Sequence, residues 1–240
     1  MKAKICGITS AELAVQVAEL HPDYMGFVFA KSKRQVKPAE VNTFISRMRE
    51  VTETLPKLVG VFGHTSQGDI EQVLHQVKLD AIQFHFPADI EWLPAIKQQY
   101  EVEIWLTIPI PHFNDEEFDK ISIKHLLHMK EFENLEKVSS HIDGLLLDTH
   151  DPVYGGGSGK AFRWELIPIV IELVDHYRLP LFAAGGLTPS NVAELKQYPL
   201  AGVDVSSGVE SNGVKDIDKV RQFIERVRNH DESRTNLSLS

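Results

Sequence analysis

LPLFAAGGLTPSNVAELKQYPLAGVDVSSG, residues 179–208, contains one complete strand–helix–strand unit. The apolar run LPLFAA (179–184) stops at Gly185-Gly186, a helical pattern comes next over NVAELKQY, and a second apolar run, GVDVSS (202–207), stops at Ser-Gly. Pro189-Ser190-Asn191 stands where a helix N-cap is expected. A strand, a covering helix and a second strand in this order predict parallel pairing in one sheet.

The unit recurs along the chain. AKICGI (3–8), YMGFVF (24–29), KLVGVF (57–62), DAIQF (80–84), VEIWLTI (102–108) and DGLLLD (143–148) precede it, separated by stretches such as SAELAVQVAEL and TSQGDIEQVLHQVK. Ser10 is a second N-cap signal, ahead of Ala-Glu-Leu. Eight runs, mostly about 20–40 residues apart, suit a closed (β/α)8 barrel better than an open sheet, although periodicity alone is common to both. The segment from Ile108 to Ile142 is longer, with Pro109, Pro111 and several charges, and is expected to hold a loop and one or two helices. A single α/β domain is expected over 1–229. His230–Ser240 is polar and aperiodic and reads as a mobile tail.

Composition narrows the function. With 240 residues, 42% hydrophobic and 25% charged, the chain matches a soluble globular protein that needs no disulfide or metal staple. One cysteine permits no internal disulfide, which fits a reducing compartment. The N-terminus lacks a signal-peptide core, and no run approaches the roughly 20 apolar residues of a membrane span, so a cytoplasmic protein without membrane contact is expected. A formal charge of −9 argues against nucleic acid as a partner and requires a locally positive pocket for any anionic substrate. The 11 histidines show no ligand spacing, and no nucleotide-binding motif appears, so no metal is expected. No exposed apolar stripe compels a dimer, and a monomer is expected.

In a parallel barrel, functional side chains gather at the C-terminal strand ends and the loops beyond them. Cys6 ends the first run, Lys31, Lys33 and Arg34 follow the second, Gln83 and His85 end the fourth, and Asp148 ends the sixth. Gly185-Gly186 and Ser206-Ser207-Gly208 follow the seventh and eighth. Paired glycine-rich turns there suit a phosphate, because backbone N–H groups approach an anion closely. Singly, each turn is as well explained as a tight turn or a cap. Asp148, ahead of a glycine-rich loop, can move a proton under a closing lid, but an isolated Asp is more often a cap or ion-pair partner. Arg34 can fork onto a carboxylate, or belong to an ordinary surface basic run. His85 is better explained as a packed histidine than as a ligand, and Lys160 as a solvated loop lysine. Cys6 is either a small buried filler or a working base.

Taken together, KICGIT, GFVFAKSKR, LLLDT, YGGGSGKAF, AAGGL and DVSSGVESNGVKD resemble, in order and spacing, the phosphoribosylanthranilate isomerases of tryptophan biosynthesis. The resemblance reaches about Arg228. It implies a (β/α)8 barrel, no cofactor, and an Amadori rearrangement of N-(5'-phosphoribosyl)anthranilate as the small-molecule substrate. It assigns Cys6 as general base, Asp148 as general acid, Arg34 as holder of the anthranilate carboxylate, and Gly185, Gly186, Ser206 and Ser207 as the phosphate site. His85 is carried over with substrate binding, from the family's QLHG.

The chain departs from the family pattern in several places. Phe86 replaces the glycine of QLHG, the loop Gly155–Gly159 is one glycine longer, Arg163 stands where an Asp is usual, and the fifth strand lacks its usual lysine. Two other functions remain open. The related histidine-pathway isomerase uses an aspartate where this chain has Cys6 and shows half-barrel repeats that are not visible here. A non-catalytic phosphosugar-binding barrel is the other.

Overall fold

The computed structural model describes residues 1–63, 66–85, 91–111, 126, 129–149 and 162–229. Eight parallel strands close on themselves in sequence order: β1 (Lys2–Cys6), β2 (Tyr24–Val28), β3 (Lys57–Phe62), β4 (Ala81–His85), β5 (Glu103–Ile110), β6 (Gly144–Thr149), β7 (Leu181–Ala183) and β8 (Gly202–Val205). β8 pairs with β1 in the register Lys4↔Asp204, and this seam closes the barrel. All eight apolar runs read from the sequence are strands.

Alternation along each strand divides the apolar residues into two cores. Inside the barrel, Tyr24, Val59, Ala81, Trp105, Leu146, Phe182 and Ala184 form one cluster. Their neighbours, such as Ile5, Phe27, Ile82, Leu106, Leu147 and Val203, face outward and pack in a second cluster with the helices. Within the barrel, three rings fill the inner cluster. Tyr24 meets Trp105 edge-on at 4.8 Å, and Trp105 stacks on Phe182 at 4.6 Å. Two residues further along β1, β4, β5 and β6 the inward positions are Cys6, Gln83, Thr107 and Asp148, none of them a hydrocarbon side chain.

The connecting helices are α1 (Ala11–Ala18), α2 (Pro38–Arg49), α3 (Gln67–Leu74), α4 (Leu93–Tyr100), α5 (Lys130–Val138), α6 (Ile167–Val174) and the terminal α7 (Ile217–Arg228). Ser10 caps α1 by accepting from Leu13 N–H at 3.2 Å, as its position predicts. NVAELKQY differs from expectation: Val192–Gln197 is a 3₁₀ helix. Asn191 does not cap it. Its side chain accepts from Thr188 N–H and donates to the Gly186 carbonyl, so it ties down the preceding turn instead. Of the long 108–142 segment, α5 and a subsequent 3₁₀ turn (Ser139–His141) are described. The tail 230–240 lies outside the described residues. Among those described, no helix is long and apolar enough to cross a membrane.

The ring stack is the test of the inner core. Phe182 is 2% exposed and seated against Gly202, where a Cβ would come within 2.4 Å of its ring. Phe182→Ala should lower unfolding free energy by about 3–5 kcal/mol in a urea titration. A loss under about 1 kcal/mol would mean that the rings are not close-packed.

Candidate active site

Cys6 ends β1 with its side chain in the barrel mouth, 7% exposed and outside both apolar clusters. Gly26 on β2 gives it room: a Cβ there would stand 2.7 Å from Sγ. Two residues earlier on the same face, Lys4 is fully buried and its Nζ meets Asp204 Oδ2 at 2.7 Å. Burial pushes the Cys6 thiol up; the Lys4 ammonium opposes this, Asp204 reinforces it, and Lys215 opposes it again, leaving the thiol above its ordinary range. Burial pulls the Lys4 ammonium down, but Asp204 and Cys6 together outweigh it and leave Lys4 raised.

Asp148 sits near the end of β6, partly open to the mouth. Burial, and then the negative charge of Asp204, raise its carboxyl to about 7; a hydrogen bond from Thr149 N–H at 2.8 Å and the Lys4 charge only partly offset them. A carboxyl that titrates near neutrality can hold a proton and release it at working pH. Lys4–Asp204 thus acts on both the thiol and the carboxyl.

Arg34 follows β2, as expected, but it is not free. Its Nε and Nη2 donate to the two oxygens of Glu210 at 2.7 and 3.1 Å. The stem of Arg34 crosses Gly7, whose φ of +84° and lack of Cβ permit the contact; a Cβ would lie 2.5 Å from Arg34 Cδ. Glu210 also accepts from Lys215 Nζ at 2.9 Å. Burial raises the Glu210 carboxyl, but the hydrogen bonds from Arg34 and Lys215 override it and hold the group at about 2. Lys215 donates in turn to the Ser206 carbonyl at 3.0 Å, and the Ser206 hydroxyl donates to the Cys6 carbonyl at 3.1 Å. One chain of contacts therefore runs from Arg34 to the backbone of Cys6.

The two glycine-rich turns come together. Gly185 and Gly186 have φ of +81° and +65°. A Cβ on Gly185 would meet Thr149 Oγ1 at 2.2 Å, and one on Gly208 would meet the Leu187 carbonyl oxygen at 1.7 Å. The turn after β8 is thus pressed onto the turn after β7. The N–H groups of Gly186, Leu187, Ser207 and Gly208 find no acceptor among the described residues. Each turn leads into a 3₁₀ segment rather than an α-helix, so these turn N–H groups, not an α-helix dipole, would face an anion.

Other expectations resolve differently. His85 closes β4, and its side chain lies outside the described residues, as do Phe86, Gly155–Gly159 and Lys160. Arg163 lies 3.9 Å from Glu165. Strand β5 brings Trp105 to the inner core and Thr107 to a 3.3 Å contact with Gln83 Nε2. Four residues of the mouth were not singled out from sequence: Lys4, Asp204, Glu210 and Lys215. A charge within an apolar strand run was the available signal for the first two. Asn212-Gly213, flanked by the other two, is a two-residue hairpin signal.

A model of the family described as N-(5'phosphoribosyl)anthranilate (PRA) isomerase matches residues 3–226. The chain belongs to the phosphoribosylanthranilate isomerase family. It is 32% identical to the N-(5'-phosphoribosyl)anthranilate isomerase of Brevibacillus brevis over 236 residues, covering 98% of this chain and 97% of that one. The Clostridium acetobutylicum isomerase is 35% identical over 230 residues, covering 95% and 98%. The crystal structure of the isomerase from Thermotoga maritima superposes with a TM-score of 0.68 at 30% identity, covering 95% and 98%. A family structure in complex with reduced 1-(o-carboxyphenylamino)-1-deoxyribulose 5-phosphate superposes at 0.66 and 28% identity, covering 95% and 98%. These matches place the chain with the tryptophan-pathway isomerases rather than the histidine-pathway ones.

The raised carboxyl has a consequence for stability. Unfolded, Asp148 titrates near 3.9; folded, at about 7. As pH rises from about 4 to 7 the unfolded state ionises first, so the wild type loses stability relative to Asp148→Asn, and the gap saturates above 7. Asp148→Asn should be the more stable protein at pH 8, by about 4 kcal/mol, with the difference shrinking toward pH 4 in paired denaturation curves. A gap independent of pH would contradict the raised carboxyl.

Proposed function

We propose that this chain converts N-(5'-phosphoribosyl)anthranilate to 1-(2-carboxyphenylamino)-1-deoxyribulose 5-phosphate, an Amadori rearrangement in tryptophan biosynthesis. One observation carries the residue assignments. A free thiol and a carboxyl shifted toward neutrality occupy the same barrel mouth, both in the field of one buried ion pair.

In the reaction, protonated Asp148 gives its proton to the ribose ring oxygen as the C1–O bond breaks. The anthranilate nitrogen lone pair forms C1=N, leaving an open-chain iminium. Cys6 thiolate then removes the C2 proton, and that electron pair moves into C1–C2 to give an enolamine. Loss of the C2 hydroxyl proton and return of a proton to C1 give the ketone. C1 is reduced as C2 is oxidised, so the protonated imine is itself the electron sink.

The productive ionisation state, protonated acid with thiolate base, is a minority at neutral pH, because burial favours the neutral thiol. Lys4 and Lys215 favour the thiolate at the moment it is needed. Arg34 holds the anthranilate carboxylate, and the joined turns at Gly185-Gly186 and Ser206-Ser207 hold the phosphate through N–H groups. His85 is proposed to line the sugar side from the end of β4. The domain that carries these residues is proposed to span 1–229, with 230–240 a polar C-terminal tail. The reaction is assigned to the cytoplasm, where an unpaired thiol such as Cys6 stays reduced.

Loss of substrate fluorescence on conversion gives a direct assay. Asp148→Asn and Cys6→Ser should each lower kcat by about 10²–10⁴-fold while the protein stays folded. Either variant within about threefold of wild type would remove that residue from the mechanism.

The chain is further proposed to act as a monomer. Among the described residues the exposed large hydrophobics are Met1, Val51 and Val214, which form no run in the sequence. Light scattering after gel filtration should return a mass near 27.1 kDa. Twice that mass would overturn the monomer.

A further inference from the structure

A guanidinium has two edges able to make paired hydrogen bonds, Nε with Nη2 and Nη1 with Nη2. In this chain the first edge of Arg34 is taken by Glu210 at 2.7 and 3.1 Å. Glu210 is well fixed itself. It stands on a two-stranded hairpin, Glu210–Ser211 paired with Val214–Lys215, turned by Asn212 and Gly213 at φ of +52° and +81°. Both positive φ values match the tight turn that suits a two-residue hairpin. Lys215 lies across the ladder from Glu210 and donates to it, Lys33 approaches at 3.5 Å, and Lys219 Nζ donates to the Glu210 carbonyl at 3.0 Å. The Glu210 side chain is 7% exposed and the Lys215 side chain 1%.

One carboxylate faces two close cations, Arg34 and Lys215, so the cluster keeps a positive charge with Glu210 ionised. The cluster therefore still attracts an anion, while the direction from which Arg34 can receive it is restricted. We propose that Glu210 is a positioning residue that sets substrate specificity, by holding one edge of Arg34 so that the Nη1/Nη2 edge is presented to the aryl carboxylate of the substrate. This rests on the assignment of Arg34 to that carboxylate. Sequence spacing does not pair the two residues, which are 176 positions apart.

Electrostatics and positioning predict opposite signs. Removing a negative charge beside Arg34 should, on charge alone, tighten binding of an anion. Loss of the fixed edge should weaken it, because a rotatable guanidinium must be ordered on binding. Calorimetry with two ligands separates these outcomes: reduced 1-(2-carboxyphenylamino)-1-deoxyribulose 5-phosphate, and the same molecule without its carboxyl group. The ratio of their dissociation constants measures carboxylate recognition and is insensitive to the fraction of active protein.

In wild type the carboxylate ligand should bind at least about tenfold more tightly, and Arg34→Met should bring the ratio near one. Glu210→Gln should reduce the ratio by about fivefold or more, with affinity for the ligand lacking the carboxyl changed less than about twofold. Turnover should show the same defect mainly in KM. If Glu210→Gln does not fold, Glu210→Asp, which keeps the charge and shortens the reach, carries the same ratio test. An unchanged or larger ratio in the folded variant overturns the role of Glu210 alone. A wild-type ratio near one instead overturns the Arg34 assignment beneath it.

Discussion

The ion pair between Lys4 and Asp204 is the constraint on which the rest of the mouth depends. It joins the first strand to the last, at the register that closes the barrel, with Nζ and Oδ2 2.7 Å apart and the lysine wholly buried. Taking two charges out of water is costly, and removing either partner of such a pair typically costs about 3–5 kcal/mol. The second carboxylate oxygen of Asp204 is buried without a partner among the described residues. Burial raises the Asp148 carboxyl, and the negative charge of Asp204 adds to that rise. The same pair places an ammonium beside Cys6. A stability cost at the seam thus becomes an electrostatic setting for the thiol and the carboxyl proposed to move protons.

A second network lies at the rim. Glu210 gathers Arg34 and Lys215, Lys215 reaches the Ser206 carbonyl, and the Ser206 hydroxyl reaches the Cys6 carbonyl. The turn that would hold a phosphate is therefore tied both to the arginine that would hold a carboxylate and to the strand that carries the thiol. On the proposed assignments, substrate ends that differ in chemistry would be met by one connected rim. Rigid placement matters here because reacting groups lose rate steeply when misplaced by about 1 Å.

Much of this architecture is legible in the chain itself. Short continuous apolar runs broken by turn residues mark all eight strands, since strands covered on both faces bury every position. Strand ends locate Cys6, Arg34, Asp148 and the two glycine-rich turns. The segment after β7 is the exception. NVAELKQY has helical spacing, but Asn191 is drawn into holding the Gly186 turn and the segment tightens to 3₁₀. Helical spacing yields there to short-range side-chain hydrogen bonds from Asn191. Arg34 stands where its position after the second strand puts it, yet its partner is invisible in sequence, because nothing local pairs residue 34 with residue 210.

The sequence by itself determined the order of strands and helices and which chemistry-bearing residues stand at strand ends. These depend on apolar runs, turn residues and caps, all of which act over a few neighbours. Only the tertiary structure decided the charge state of the mouth. A lysine at position 4 is buried beside an aspartate at 204, and one edge of Arg34 is occupied by Glu210, because closing the barrel brings distant segments within hydrogen-bond reach. Burial and through-space charge act on three-dimensional distance, and sequence separation carries no record of it.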